Sequence, residues 1–464
     1  MLQKASLVIL FVLSCTILLA DGVQPEGDGT QADPYQVATL DNLLWVSTNN
    51  VSWSCHFIQT ADIDATDTQN WNDGAGFSPI GTGALHDFSG SYNGQGYTID
   101  GLYMNRPTND CPGMFGIVTA ITCDNLGLTN VEMTGHINVG GLVGYDFGGS
   151  TITNCYSTGS VSGTNDNIGG LVGTNGQSST ISNCYSTASV AGVNCVGCLA
   201  GASFGTIGDS YSTGSVNGTV NYIGGLVGGC SGSIINCYST GSVNGISKVG
   251  GLVGYVYGSD GSVINCYSTG SVNGTENFIG GLVGSNASTV TSSFWDIETS
   301  GQTTSAGGTG LTTTEMQALA TYIDAGWDFM EETANGAEDI WGLNYAENGG
   351  YPFLEWQGFA HDPPVSTADE VEAPLVTHLG FNYPNPFNPT TTIVFSIQRN
   401  ETATLEIFNL RGQRVMSYPT FPAGNHEVVW DGTDNNEHGV VSGVFLYRLQ
   451  SGSTQQVRKM LLLK

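Results

Sequence analysis

Two short strings in this 464-residue chain carry the letters of reactive sites. Gly201-Ala202-Ser203-Phe204-Gly205 fits G-x-S-x-G, a serine nucleophile turn that needs a strand before it and a helix after it. Cys195-Val196-Gly197-Cys198 fits C-x-x-C, where redox chemistry needs a helix N-terminus to lower a thiol pKa. Both lie inside repeats with no helical pattern, so repeat drift or a local disulfide is the expected role of the cysteine pair. No H-E-x-x-H string is present.

Polysaccharide chemistry would ask for other residues. A lyase acting on uronates wants Lys or Arg, and between Asp21 and Val376 there are only Arg106 and Lys248. A glycosidase wants two carboxylates at a defined separation. From Val139 to Thr289 the acids are Asp146, Asp166, Asp209, Asp260 and Glu276, at different repeat offsets. Asp62, Asp64 and Asp67 alternate more tightly, but no EF-hand or nonapeptide calcium pattern surrounds them. The expectation is no catalytic residue, no metal and no cofactor. The residues best spaced for binding are Tyr156, Tyr185, Tyr211, Tyr238 and Tyr267, one per repeat. Exposed, they would form a stripe of rings about 19 Å long at the strand spacing, suited to a glycan chain. The alternative is an ordinary packing ladder.

The elements that would position those rings repeat. GGLVG begins at Gly140, Gly169, Gly224, Gly250 and Gly280, with a degenerate copy at Gly197. The starts are 29, 28, 27, 26 and 30 residues apart. NCYSTG or a close variant begins at Asn154, Asn183, Asp209, Asn236 and Asn265. Each unit offers about three short β-prone runs and no helix. A single unit cannot bury a core, but stacked units can. The expected fold is all-β, a right-handed parallel β-helix. Leu142, Leu171, Leu199, Leu226, Leu252 and Leu282 stack inward in it, with glycines at tight corners where φ is positive or backbones crowd. The Asn positions form a left-handed bend. Cys155, Cys184, Cys237 and Cys266 face inward with Ser210 in the same slot, as small packing residues or as bridged pairs, and the Tyr face points outward. Trp45, Trp53 and Trp71 would cap one end, and a helix over 312–323 the other.

Composition bounds the function. Ten Lys and Arg stand against 40 Asp and Glu, for a net charge of −30, while 40% of residues are hydrophobic. Such a chain is neither a general nucleic-acid binder nor disordered. The charge is uneven: 34 acids lie between Asp21 and Val376, and seven of the ten bases lie at or after Arg399. Residues 1–20 read as a signal peptide, with Lys4 before an apolar stretch. No later run is long enough to span a membrane as a helix, so no transmembrane segment is expected in the mature chain. The expected divisions are residues 21–138 as cap and lead-in coils, 139–289 as repeat coils, and 290–359 as closing coil and cap. An acidic Pro-containing linker over 360–376 and a small β-sandwich over 377–464 follow.

The GGLVG repeats resemble the GLUG motif of bacterial exported proteins, found also beside some IgA-specific metalloendopeptidases. Flanking strings such as Phe88–Leu102 and Ser293-Phe294-Trp295-Asp296 are similar to the lead-in and closing segments of such proteins. This resemblance implies the fold and no chemistry. The C-terminal stretch resembles a type IX secretion sorting domain of type A, Ig-like in fold. It does so through Asn382-Tyr383-Pro384-Asn385-Pro386-Phe387-Asn388-Pro389, Arg411-Gly412-Gln413, Trp430-Asp431-Gly432, Gly443 in Ser442–Leu449, and Lys459 in the final strand. That resemblance implies passage through the periplasm, recognition of residues 377–464 by the outer-membrane translocon, and surface display or release. The expected function is non-enzymatic adhesion or glycan binding. The alternatives are a carbohydrate-active enzyme on the same fold or a structural spacer in the envelope.

Overall fold

A computed structural model describes residues 22–83, 85–330, 335–359, 377–385, 387–398, 401–422, 424–435, 438–452 and 454–463. The expected signal peptide, the linker and Pro386 lie outside these residues. Two compact units form, residues 22–342 with Leu354–Gly358, and Leu343–Phe353 with 359–463.

The first unit is a parallel β-solenoid. One coil shows its path: Val227–Cys230, then Ser233–Ile235, then the Asn236 bend, then Tyr238–Ser239 and Val243–Gly245, then Ser247–Gly250. Stacking these segments makes a seven-stranded, a ten-stranded, a fifteen-stranded and a five-stranded parallel sheet. The Ile-Gly-Gly-Leu-Val run, expected as one strand, is two strands on two sheets. Its second glycine and its leucine turn the corner between them.

That corner explains the glycines. A Cβ on Gly225 would sit 2.1 Å from the Gly251 carbonyl oxygen and 2.3 Å from Ser239 Oγ. The paired glycines therefore serve close backbone approach and not positive φ. Positive φ falls two residues earlier, at Asn138, Asn167, Cys195, Tyr222, Lys248 and Phe278, between +50° and +65°. Left-handed backbone costs roughly 1 kcal/mol or more for such residues, and the surrounding ladder holds them there.

The leucines pack as expected. Leu142, Leu171, Leu199, Leu226, Leu252 and Leu282 are fully buried. Each of the first five donates its N–H to the carbonyl of the next at 2.8–3.0 Å. Asn154, Asn183, Asn236 and Asn265 have φ of +52° to +53°, and Asp209 shares the slot at +46°. Their side chains bond along the stack: Asn154 Nδ2 to Asp124 Oδ1 at 3.0 Å, and Asn236 Nδ2 to Asp209 Oδ1 at 3.0 Å.

All ten described cysteines are free thiols. The inward cysteine slot does more than fill space. Cys184 Sγ accepts from the Cys155 N–H at 3.4 Å, and Ser210 Oγ accepts from the Cys184 N–H at 3.1 Å. Cys266 Sγ and Ser293 Oγ do the same for Cys237 and Cys266. The slot thus requires a thiol or hydroxyl, where sequence reasoning expected any small side chain.

The ends are capped by helices and aromatics. Leu40–Thr48 is an α-helix with Thr39 as its N-cap, accepting from the Asn42 N–H at 3.2 Å. It packs with Trp53 at the N-terminal end, where no helix was expected. At the other end, the helix expected over 312–323 is two short helices, Thr313–Met316 and Leu319–Ile323. Thr312 and Glu315 form a capping box for the first, and Gln317 closes it after one turn.

The described second unit is antiparallel. His378–Tyr383, Thr391–Ile397 and Gly424–Trp430 form one sheet; Arg414–Ser417, Ala403–Asn409, Gly443–Ser451 and Thr454–Leu462 form the other. Alternating residues such as Ile393, Phe395, Leu405, Ile407, Trp430, Tyr447 and Leu449 make its core. Sequence patterning missed the strands His378–Tyr383 and Arg414–Ser417, which are short of β-branched residues.

The cysteine slot is testable. Cys266→Ser preserves the acceptor and should change stability little. Cys266→Ala leaves the buried Cys237 N–H without its partner and should cost about 1–3 kcal/mol, read from guanidinium unfolding midpoints.

Candidate functional site

The tyrosines of the NCYSTG string stand on the outer face of the fifteen-stranded sheet. Register pairing places Tyr156, Tyr185, Tyr211, Tyr238 and Tyr267 directly above one another. Successive ring centroids are 4.7, 4.9, 5.0 and 5.0 Å apart, with planes within 5° of parallel. Only part of this stripe is open. Tyr156, Tyr185 and Tyr211 are half-buried, whereas Tyr238 and Tyr267 are 1% and 0% exposed. The expectation of five exposed rings is corrected: three are half-buried and two are buried.

The cover comes from later in the same unit. Trp341 lies 6.4 Å from Tyr238 and 6.1 Å from Tyr267, and Trp327 lies 6.4 Å from Tyr267. Gln357 Nε2 donates to the Tyr238 hydroxyl at 2.9 Å. Trp356 lies over Tyr211 and Tyr185 at 5.8 and 6.4 Å. Its indole N–H donates to the Asp209 carbonyl at 2.8 Å, and its ring keeps 36% exposure. Burial raises the Tyr185 and Tyr211 phenols, the latter to about 12, so both are neutral hydroxyls at physiological pH. Beside them run uncharged side chains, with Thr187, Ser189 and Thr213 exposed. Trp356 is the residue sequence reasoning missed: its position across the ladder depends on a contact 145 residues distant from Tyr211, and no local pattern marks it.

The strings with catalytic letters do not form sites. Ser203 ends the strand Ala200–Ser203, is fully buried, and accepts from Asn175 Nδ2 at 3.0 Å. A two-residue turn and another strand follow it, not a helix. Cys198 is buried, and Cys195 occupies a left-handed corner. Burial pushes their thiols up to about 11 and about 12, opposite to an activated thiolate. Asp166 accepts from Asn194 Nδ2, Asp209 from Asn236 Nδ2, and Asp146 from Ser150 Oγ; Asp166 begins one strand, Asp146 ends another and Asp209 sits in a left-handed bend. Lys248 places its ammonium 4.7 Å from the Tyr222 centroid and 4.5 Å from the Tyr255 centroid. Among the described residues no group of three or more His, Cys, Asp or Glu is placed to hold a metal ion.

The sorting-motif residues shape turns and pin strands in the second unit. Asn382 Nδ2 donates to Thr391 Oγ1 at 2.9 Å and to the Pro384 carbonyl at 3.3 Å. Asn385 accepts from the Leu461 N–H at 2.9 Å and donates to the Lys459 carbonyl at 3.4 Å. Phe387 is buried, and a cis peptide joins Asn388 to Pro389. Gly412 and Gly432 have φ of +76° and +72°. Asp431 Oδ1 accepts from the Thr433 hydroxyl at 2.6 Å, and the buried Trp430 donates its indole N–H to the Thr433 carbonyl at 2.8 Å. Gly443 opens a strand, and Lys459 is exposed on the last one. Tyr447 bonds twice to the strand His378–Tyr383, accepting from the Asn382 N–H at 3.0 Å and donating to the Gly380 carbonyl at 2.9 Å.

Comparison with known proteins agrees with both parts. The family model of the secretion system C-terminal sorting domain matches residues 382–463. That of the GLUG motif matches residues 135–162, 164–191 and 246–273. The chain therefore carries GLUG repeats and a C-terminal sorting domain, which marks it for the cell surface or for secretion. Halomucin of Haloquadratum walsbyi is 34% identical over 142 residues, 30% of this chain and 2% of halomucin. A candidate Gly-rich membrane protein of Evansella cellulosilytica is 35% identical over 112 residues, 24% of this chain and 12% of that one. The chain thus spans only 2% and 12% of the length of these curated relatives. Among solved structures, a candidate immunoglobulin A1 protease from Bacteroides ovatus aligns over 71% of this chain and 94% of its own, at 19% identity and a TM-score of 0.49.

One ion cluster in the second unit sets a pH response. Arg448 and Arg414 lie 2.6 and 2.9 Å from the Glu406 carboxylate and hold it below the usual 4.5. A depressed carboxyl stabilises the fold above its unfolded pKa, and the contribution is lost as pH falls through the folded value. Wild type should therefore lose stability below about pH 4.5 more steeply than Glu406→Gln, measured by thermal unfolding between pH 7 and 3.

Proposed function

We propose that this chain is an exported, non-enzymatic binding module that holds a glycan chain against the tyrosine face of its solenoid and is delivered by the type IX translocon through residues 377–464. The observation that carries the reading is the open end of the ladder. Tyr156, Tyr185 and Tyr211 are parallel and half-buried, and the exposed Trp356 ring lies over Tyr185 and Tyr211. The tyrosine faces are taken up by one another, so the exposed ring of Trp356 is the face offered to the C–H face of a sugar, while the tyrosine edges and the neighbouring threonine and serine hydroxyls hydrogen-bond to sugar hydroxyls. The rings are stacked on one another and held by the strand ladder, so little side-chain entropy is lost on binding. Asp62 near Tyr156 disfavours an anionic polymer, so the face suits a neutral one.

A glycan array probed with the purified chain tests this reading. Saturable binding is expected, weakened about tenfold in Tyr156→Ala/Tyr185→Ala or in Trp356→Ala, the loss of roughly one aromatic contact. A blank array for folded protein overturns the glycan reading and favours the spacer role. Release of reducing ends from a bound glycan overturns the non-enzymatic part.

A further inference from the structure

The repeats are not of equal length, and the differences gather at one corner. The turn between the seven-stranded and ten-stranded sheets has four residues after Asn175 and five after Val256. The two turns between them, after Ser203 and after Cys230, have only two residues each. These short turns belong to the repeats that begin at Gly197 and Gly224, whose lengths of 27 and 26 residues are the smallest of the series. Long turns on either side of short ones leave a trough across four coils. Its volume is about 540 Å³, and it runs roughly 14 Å along the solenoid axis at the strand spacing.

The floor of the trough is bare backbone. A Cβ on Gly205 would lie 2.3 Å from the Ser179 carbonyl oxygen, and one on Gly232 would lie 1.9 Å from that of Gly205. The turns stack too closely to carry side chains there. Phe204 rises from this floor, 39% exposed, braced edge-on by Tyr257 with centroids 6.3 Å apart. The walls offer Gln177 and Ser178 from one long turn and Ser259 from the other. The amides of Ser231, Ser233 and Ser262 are already bonded to carbonyls of the neighbouring coil, so a peptide strand would find few free backbone partners. Asp260 is the one charged residue in the lining, and no cation is present to hold a uronate, sulfate or phosphate.

We infer that this trough is a second binding site, for a neutral oligosaccharide lying along the solenoid axis with one sugar ring against Phe204. Hydroxyls on both walls and the Gln177 amide on one match sugar hydroxyls, and Asp260 discriminates against anionic glycans. The site rests on the reading of this chain as a glycan binder but not on the tyrosine face, which lies on a different sheet. Two sites on separate faces would let one solenoid bridge two polymer chains.

The test is isothermal titration of the purified full chain with cellohexaose and mannohexaose as neutral probes and hexagalacturonate as the anionic one. Wild type should bind a neutral hexaose and not the uronate. Phe204→Ala should weaken one class of sites about tenfold, and Ser259→Trp, which fills the trough from an exposed turn, should remove that class and leave only the stoichiometry of the tyrosine face. Both variants should keep the wild-type circular dichroism and Tm, because neither residue is in the core. Tyr156→Ala/Tyr185→Ala should leave trough binding within about twofold, a change near the limit of one weak contact. Unchanged affinity in Phe204→Ala and Ser259→Trp, with loss in the tyrosine variant, overturns the trough and leaves the tyrosine face standing. Preference for hexagalacturonate, or no binding of either neutral hexaose, overturns the trough; a glycan array that is blank as well removes both sites.

Discussion

Coils stacked in register at the spacing of paired strands impose the same local demand on the same position again and again. The leucine ladder shows this most simply. Leu226 fills the interior, and its N–H meets the carbonyl of Leu252 one coil on. A coil cannot shift without breaking both the packing and the hydrogen bonds on every sheet at once. The other interior columns obey equally specific demands. The paired glycines permit backbone contact, the Cys/Ser slot accepts a buried N–H, and the Asn/Asp slot holds a left-handed bend. Substitutions within a column respect the demand: Ser210 replaces Cys because it too accepts, and Asp209 replaces Asn because it too adopts positive φ and accepts an amide.

Outward positions and turns escape that constraint, and the surface features arise there. On the tyrosine face, the ladder supplies regular rings, and the chain then uses part of them itself. Trp327, Trp341 and Gln357 cover its C-terminal end, and Trp356 reaches over Tyr185 and Tyr211 while keeping its own ring exposed. At the corner between two sheets, turn length varies because the strands on either side are already paired above and below. Short turns between long ones make a trough without disturbing any interior column. Few charges fall on the repeat coils, so neutral hydrogen-bonding groups and aromatic rings dominate both features.

The second unit follows different physics. Its antiparallel strands depend on specific turns, and its motif residues build them. Asn382, Pro384 and Thr391 form one hydrogen-bonded cluster, Asn385 ties the first motif to the last strand, and Tyr447 closes on Asn382 and Gly380. Residues that identify a sorting domain are thus also the ones that hold its first and last strands together.

Much of this was legible in the amino-acid order. The repeat period, the inward leucines, the left-handed Asn bends and the outward tyrosines follow from local chemistry recurring at a fixed offset, and the sorting domain was legible through its resemblance to a known family. Of the two readings of the corner glycines, positive φ or crowded backbones, the structure selects the second, because the close approach comes from a neighbouring coil. Thr312–Ile323 promised one helix, but its capping box closes a single turn. What the order of residues determined is which side chains repeat and which way each points, because strand alternation and bend propensity act within a few residues. What only the tertiary structure decided is which of those side chains meet water. Trp356 reaching back over Tyr185 and Tyr211, and two short turns sinking between two long ones, are contacts between segments whose separation in sequence carries no local signal.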